Sequence, residues 1–213
     1  MDTETQPPKP RYKGPKPPRK PRGPRVDRRS AKVHTGILEA ASELVAELGY
    51  NKVSIEAIAA KAGSGKQTIY RWWPTKAHLF LELYVTLAPE MLLSVDTGTA
   101  KSDLRMLLIR LFEVYEGSPA GPILAGLISE SQRNAEVADA VRKRLVVDRR
   151  SLIGSILGRG IARGEFRPDL DLNLAIDVIS GVIWLRLLVG HSPLDRTFAD
   201  ALVNLISDGI ARR

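Results

Sequence analysis

The sequence contains no cysteine and only three histidines. Without cysteine there can be no disulfide, no thiolate metal site and no cysteine nucleophile, although this alone does not fix the compartment. His34, His78 and His191 lie far apart in sequence, and none has a carboxylate at a metal-ligand or catalytic-relay spacing. Surface or packing roles are expected for all three. No apolar run approaches the length of a bilayer span, and the basic, proline-rich start lacks the apolar centre of a secretory signal. A cytoplasmic chain with no membrane attachment is the expectation.

Nucleotide-binding loops are also missing. The stretch from Ala60 to Gln67 resembles a phosphate-binding P-loop, but that loop needs Gly at its first position and Ser or Thr at its last, after an apolar strand. The run from Gly158 to Gly164 has one residue too many for a dinucleotide loop and follows a helix. No enzyme, cofactor or metal is therefore expected.

What remains is a chain of 213 residues, 44% hydrophobic and 26% charged, enough for one globular body and a small accessory unit. Its net charge of +8 is unevenly spread. Residues 1 to 29 hold ten Lys or Arg against Asp2, Glu4 and Asp27, which is +7 and leaves +1 for everything else. Residues 6 to 29 alternate proline with positive charge and have no apolar period that could build a core, so this arm is expected to be disordered in isolation. A solvated linker is the plain reading; an arm lying along nucleic acid is the sharper one.

From Ser30 the pattern becomes helical, and no convincing strand follows, so the fold class is all-α. Ser30 is a plausible N-cap, Val33, Ile37, Ala41, Leu44, Val45 and Leu48 repeat at helical spacing, and Gly49 supplies a stop. Ser54 caps a second helix that buries Ile55, Ile58, Ala59 and Ala62 and carries Glu56 near its positive end. Gly63 to Gly65 breaks it, and a third helix runs from about Lys66 to Trp73, where Pro74 ends it.

Two short helices joined by a glycine-containing turn outline a helix-turn-helix. Ile69 and Trp73 share one face of the third helix, which leaves Lys66, Gln67, Thr68 and Arg71 pointing elsewhere. Gln can pair with an adenine edge, Lys can reach guanine acceptors or phosphate, and Thr can touch a thymine methyl. The plain alternatives are a core Tyr70, core Trp72 and Trp73, and solvated charges at Lys66 and Arg71.

The pairs Ile58-Ala59 and Ala62-Gly63, the run Thr68-Ile69-Tyr70, the aromatic pair Trp72-Trp73 and Lys76 together resemble the DNA-binding signature of the tetracycline repressor (TetR) family. The resemblance implies that Tyr70 and Lys76 bind phosphate and that Ser54 caps and touches phosphate. It implies too that Lys66, Gln67 and Thr68 enter the major groove; Ser64 and Arg71 are further candidate DNA contacts. The family often has Val-Ser where this chain has Ser64-Gly65, which removes a packing methyl and a helix cap. The resemblance is strong over residues 30 to 80. Within the arm, Pro21-Arg22-Gly23-Pro24-Arg25 is similar to a minor-groove AT-hook interrupted by Pro24, which makes Arg22 and Arg25 candidate DNA contacts.

The domains are then an arm at 1 to 29, a helix-turn-helix domain at 30 to 76 and a helical ligand-binding and dimerisation domain at 77 to 213. In the last of these, Thr75 can cap a helix with Leu79, Phe80, Leu83 and Leu87. Helices from Leu104 to Tyr115 and from Ile123 to Ser129 follow, then one long helix from Ala135 to Ala162 with Leu145 among its inward residues. The segment from Leu172 to Leu188 is apolar on more than one face and must be covered on both sides, and a final helix has a capping-box-like start from Thr197 to Asp200. A second copy of the chain can supply that cover through the last two helices, the arrangement the resemblance also implies; a monomer with a central helix is the alternative. The expected function is a ligand-responsive repressor that binds a double-stranded inverted-repeat operator as a homodimer. Its effector is an unidentified small molecule, for which Tyr115, Arg110, Trp184 and Arg186 are lining candidates only. A nucleoid-type or RNA-binding protein driven by the arm, and a small enzyme or ligand carrier, are the competing classes.

Overall fold

The computed structural model describes residues 28–87, 96–143 and 147–210, with side chains described from Ser30 onward and again from Arg150. Among the described residues there are ten α-helices and no strand. The arm, with Arg22 and Arg25, and Leu145 lie outside them.

The head is built from α1 (Arg28–Leu48), a 3₁₀ turn (Tyr50–Lys52), α2 (Ile55–Lys61) and α3 (Lys66–Trp72). Helix α1 already runs through Ser30, so Ser30 is not its cap, and Val33 and Leu48 stay 37% and 44% exposed. The buried face is Ile37, Leu38, Ala40, Ala41, Leu44 and Val45. Gly49, at φ +77°, turns the chain out of the helix in a conformation that side-chain-bearing residues rarely adopt. Ser54 caps α2 by accepting from the Ala57 N–H at 3.1 Å, and Gly63 at φ +60° opens the turn to α3.

Helix α4 (Lys76–Leu87) connects head and body; the His78 N–H reaches the Thr75 hydroxyl at its start, at 3.4 Å. The body is α5 (Ala100–Gly117), α6 (Ala120–Ser131), α7 (Ala135–Val141), α8 (Val147–Ala162), α9 (Leu172–Val189) and α10 (Arg196–Ile210). Helix α5 packs on α6, α8 and α10, and α6 packs on α4, α7, α9 and the 3₁₀ turn of the head.

The body departs from the sequence pattern in three places. Helix α5 starts at Ala100, capped by Thr99, instead of at Leu104. Helix α6 takes in Ala120 to Pro122, because proline in a first turn lacks only an N–H that had no intrahelical acceptor anyway. Within the span from Ala135 to Ala162 the described residues form α7 and α8, and residues 144–146 between them lie outside the described residues. The cap of α10 is Asp195, whose carboxylate accepts from the Phe198 N–H at 2.7 Å, whereas Asp200 pairs with Arg105 of α5.

Helix α9 corrects a further expectation. Over 18 residues its mean hydropathy is 1.8, so by length and composition it could cross a membrane. Its apolarity has another source in the fold. Ala175, Ile176, Ile179 and Ile183 are buried inside the chain, while Leu174, Val178, Leu185 and Leu188 form a second, exposed apolar face. Asp177, within the span, pairs with Arg150 of α8.

Candidate nucleic-acid interface

Ile58 and Ile69 are fully buried between α1, α2 and α3, and Trp73 is 2% exposed. That packing fixes the rotation of α3. Lys66, Gln67, Tyr70 and Arg71 are consequently exposed, with Tyr70 at 47%, while Ser54, Ser64, Thr68 and Lys76 are half-buried. Tyr70 therefore lies on the surface and Trp73 in the core. Gly65 stands at the N-cap of α3 with no side-chain bond to the helix, as expected from the Ser64-Gly65 departure.

Two of the candidate lysines are already engaged. Lys66 Nζ lies 2.7 Å from Glu56 Oε1 at the start of α2, and this bond holds the Glu56 carboxyl below its ordinary range. Lys76 Nζ donates to the Tyr50 carbonyl at 2.6 Å and sits 4.2 Å from the centre of the Tyr50 ring. Burial draws the Lys76 ammonium below the usual lysine range, with the Glu130 charge opposing that shift. Lys61 is also spent internally, bridging Glu43 and Glu47 of α1 at 2.9 and 3.2 Å.

Sequence reasoning missed the groups that hold α3 in place. Glu82 of α4 accepts from Trp73 Nε1 at 2.8 Å and contacts His34 Nε2 of α1 at 3.0 Å. The His34 ring rests 4.6 Å from Trp73 and 5.2 Å from Trp72, and Arg71 lies over Trp72 at 5.3 Å. One carboxylate thus ties α1, the end of α3 and α4 together. The only sequence signal was an acid on the inward side of α4, and its partners are 9 and 48 positions away. The packing role expected for His34 is the one it has.

A rigid pair of short helices with its polar face turned outward is a device for presenting side chains to a groove. The family model for bacterial regulatory proteins of the tetR family matches residues 37–83, and the model for the tetracyclin repressor-like C-terminal domain matches residues 94–206. The chain belongs to the TetR family. As a TetR-family member it is a DNA-binding transcriptional regulator, and this family is not one of enzymes. It is 32% identical to YdeS, an HTH-type transcriptional regulator of Bacillus subtilis, over 82% of this chain and 88% of that one. It is 30% identical to a DNA-binding transcriptional repressor, TetR, of Mycobacteroides abscessus over 79% of this chain and 88% of that one. A crystal structure of a TetR family transcription regulator superposes with a TM-score of 0.69 at 33% identity, covering 85% of this chain and 100% of the other. The fold is shared as well by FadR of Bacillus subtilis in complex with stearoyl-CoA, at TM-score 0.67, 23% identity and coverage of 83% and 99%.

Proposed function

We propose that this TetR-family regulator is a ligand-responsive repressor that binds an inverted-repeat operator as a homodimer. The observation that carries the reading is the second apolar face of α9, which no part of the described chain covers, in a molecule whose head presents Lys66, Gln67 and Thr68. A two-fold pairing through α9 and α10 would hide that face and set two α3 helices on one side. Ser54, Tyr70 and Lys76 would anchor phosphates around each α3, with Ser64 and Arg71 at its edges. FadR, with the same fold, is a complex with stearoyl-CoA, which supports a small-molecule effector in a bundle of this shape. Here Tyr115 and Arg186 line a cleft of about 300 Å³ between α5, α6 and the end of α9. Arg110 lines another of about 490 Å³ beside α10.

The test is a footprint on DNA selected by the purified protein. One protected inverted repeat is expected, with half-sites about 34–36 Å apart or a multiple of that spacing. Single asymmetric sites would exclude the dimeric reader. For the arm, we propose that Arg22 and Arg25 enter the minor groove flanking α3. Deleting residues 1 to 25 should then weaken binding most on A·T-flanked sites and flatten log K against log salt by about 0.9 for each phosphate that is no longer neutralised. An unchanged slope would show that the arm does not touch DNA.

A further inference from the structure

Tyr50 stands in the turn between α1 and α2 and is 4% exposed. Its hydroxyl donates to Glu130 Oε2, on α6 of the body, at 2.6 Å. Burial and the adjacent carboxylate push the phenol far above its ordinary pKa, so it remains a neutral donor. Its ring lies flush on the α6 backbone: a Cβ placed on Gly126 would stand 2.1 Å from Tyr50 Cγ and 2.2 Å from Cδ1. Across the ring is Phe80 of α4, with centroids 5.0 Å apart. The carbonyl and ring face of the same residue hold the Lys76 ammonium, at 2.6 and 4.2 Å. One residue therefore touches the body helix and the half-buried charge at the start of α4.

We infer that Tyr50 is a positioning residue for Lys76: the placement of α6, read through the Tyr50 ring and hydroxyl, sets whether the Lys76 ammonium can reach a DNA phosphate. The inference rests on the reading of Lys76 as a phosphate contact. The physical basis is the lack of slack on the α6 side. With Gly126 against the ring there is no space for α6 to shift toward the head without moving Tyr50, because close-packed interiors transmit such shifts instead of absorbing them. An ammonium has three donors, and the carbonyl takes one, so the present arrangement anchors Lys76 and leaves donors for an oxygen outside. Displacing the ring removes the cation–π contact and leaves the backbone carbonyl alone to fix its direction.

The experiment measures log K against log salt for the full-length protein on a mixed-sequence DNA duplex, where binding is governed by phosphate contacts. Lys76→Ala should lower the slope by about 0.9 for each phosphate that is no longer neutralised. Gly126→Ala, which forces a methyl into the Tyr50 ring, should lower it equally, and Gly126→Ala with Lys76→Ala should lower it no further than either alone. Thermal melts run alongside, because a merely structural Tyr50 would change the melting temperature and leave the slope untouched. If Gly126→Ala does not fold, Tyr50→Phe decides. It cuts only the tie to Glu130, and should lower the slope in the wild-type background but not in Lys76→Ala. A Gly126→Ala or Tyr50→Phe slope that matches wild type, or reductions that add to that of Lys76→Ala, would overturn the inference. An unchanged slope in Lys76→Ala itself would show instead that the phosphate reading beneath it is wrong, and the inference would fall with it.

Discussion

Leu185→Asp is the sharpest probe of the proposed dimer. Leu174, Val178, Leu185 and Leu188 follow one another along α9 at steps of four, seven and three, with 61%, 44%, 55% and 47% of their surface exposed. Val189 is 63% exposed as well, and on α10, the other helix assigned to the interface, Leu205 is 72% exposed. Burying a Leu or Val completely is worth about 1.5–3 kcal/mol, so covering the exposed half of each contributes about 1 kcal/mol. Six such residues from each chain give about 12 kcal/mol for a pair, within the range of the estimated cost of association, about 4–15 kcal/mol. A two-fold interface counts every substitution twice. Leu185→Asp therefore removes about 2 kcal/mol of apolar burial and places two carboxylates where desolvation costs at least a further ~2 kcal/mol. Dimerisation should be weakened by about a thousandfold or more. Sedimentation equilibrium across a concentration series reads this directly: a wild-type dimer and a Leu185→Asp monomer at micromolar protein are expected. A variant that dimerises like wild type, or a wild type that is monomeric throughout, would refute the assignment of α9 to the interface.

Gln67→Ala should relax preference at one or two base pairs per half-site by roughly 1–3 kcal/mol each, measured on a panel of operator variants. Equal weakening on operator and random DNA would remove Gln67 from base readout. Glu82→Ala leaves the buried Trp73 N–H unpaired and should cost about 1–3 kcal/mol in thermal or urea unfolding. Glu82→Gln, which keeps an acceptor, should cost less, and equal effects would mean that the Trp73 bond is not what matters. Asp103 is buried, which disfavours its charge, but the Thr97 N–H, Arg159 and the Thr97 hydroxyl outweigh burial and hold its pKa below the ordinary value. A depressed folded pKa gives stability that is present above the unfolded value, about 3.9, and is lost as pH falls through the folded one. Acid unfolding should thus be shallower in Asp103→Asn, which is destabilised at neutral pH, and parallel curves for the two proteins would count against the network.

The head was legible in the sequence because its rules are local. Ser54 three residues before the N–H it caps, Gly49 and Gly63 at positive φ, and Pro74 after Trp73 are each decided within one turn of chain. The body was less so where a local signal had two readings. Pro122 reads as a breaker and is a first-turn residue; Asp200 looks like a cap partner and is taken by Arg105 instead. The two apolar faces of α9 were visible as a surplus of apolar residues, but which face the chain would cover depended on where α8 and α6 packed. Contacts such as Tyr50 to Glu130, 80 positions apart, leave no periodic trace at all.

Those long-range contacts change how the reading surface must work. Lys66 has Glu56, and Lys76 has Tyr50, before any DNA arrives. Under the proposed function, a phosphate bound by either lysine would have to replace or share an existing charge-assisted bond, and the gain would be the difference between two such bonds rather than the whole of one. The surface ion pair of Lys66 is the cheaper to exchange, since exposed pairs contribute only about 0–1 kcal/mol. Lys76 is harder to move, because its partner is a carbonyl inside the head and its charge is half-buried. Bulk attraction then falls to charge not already spent in the fold, and by composition most of the net charge sits in residues 1 to 29. In this division of labour the arm would set how often the protein meets DNA, α3 would set which sequence it keeps, and Lys76 would be the contact that α6 can adjust.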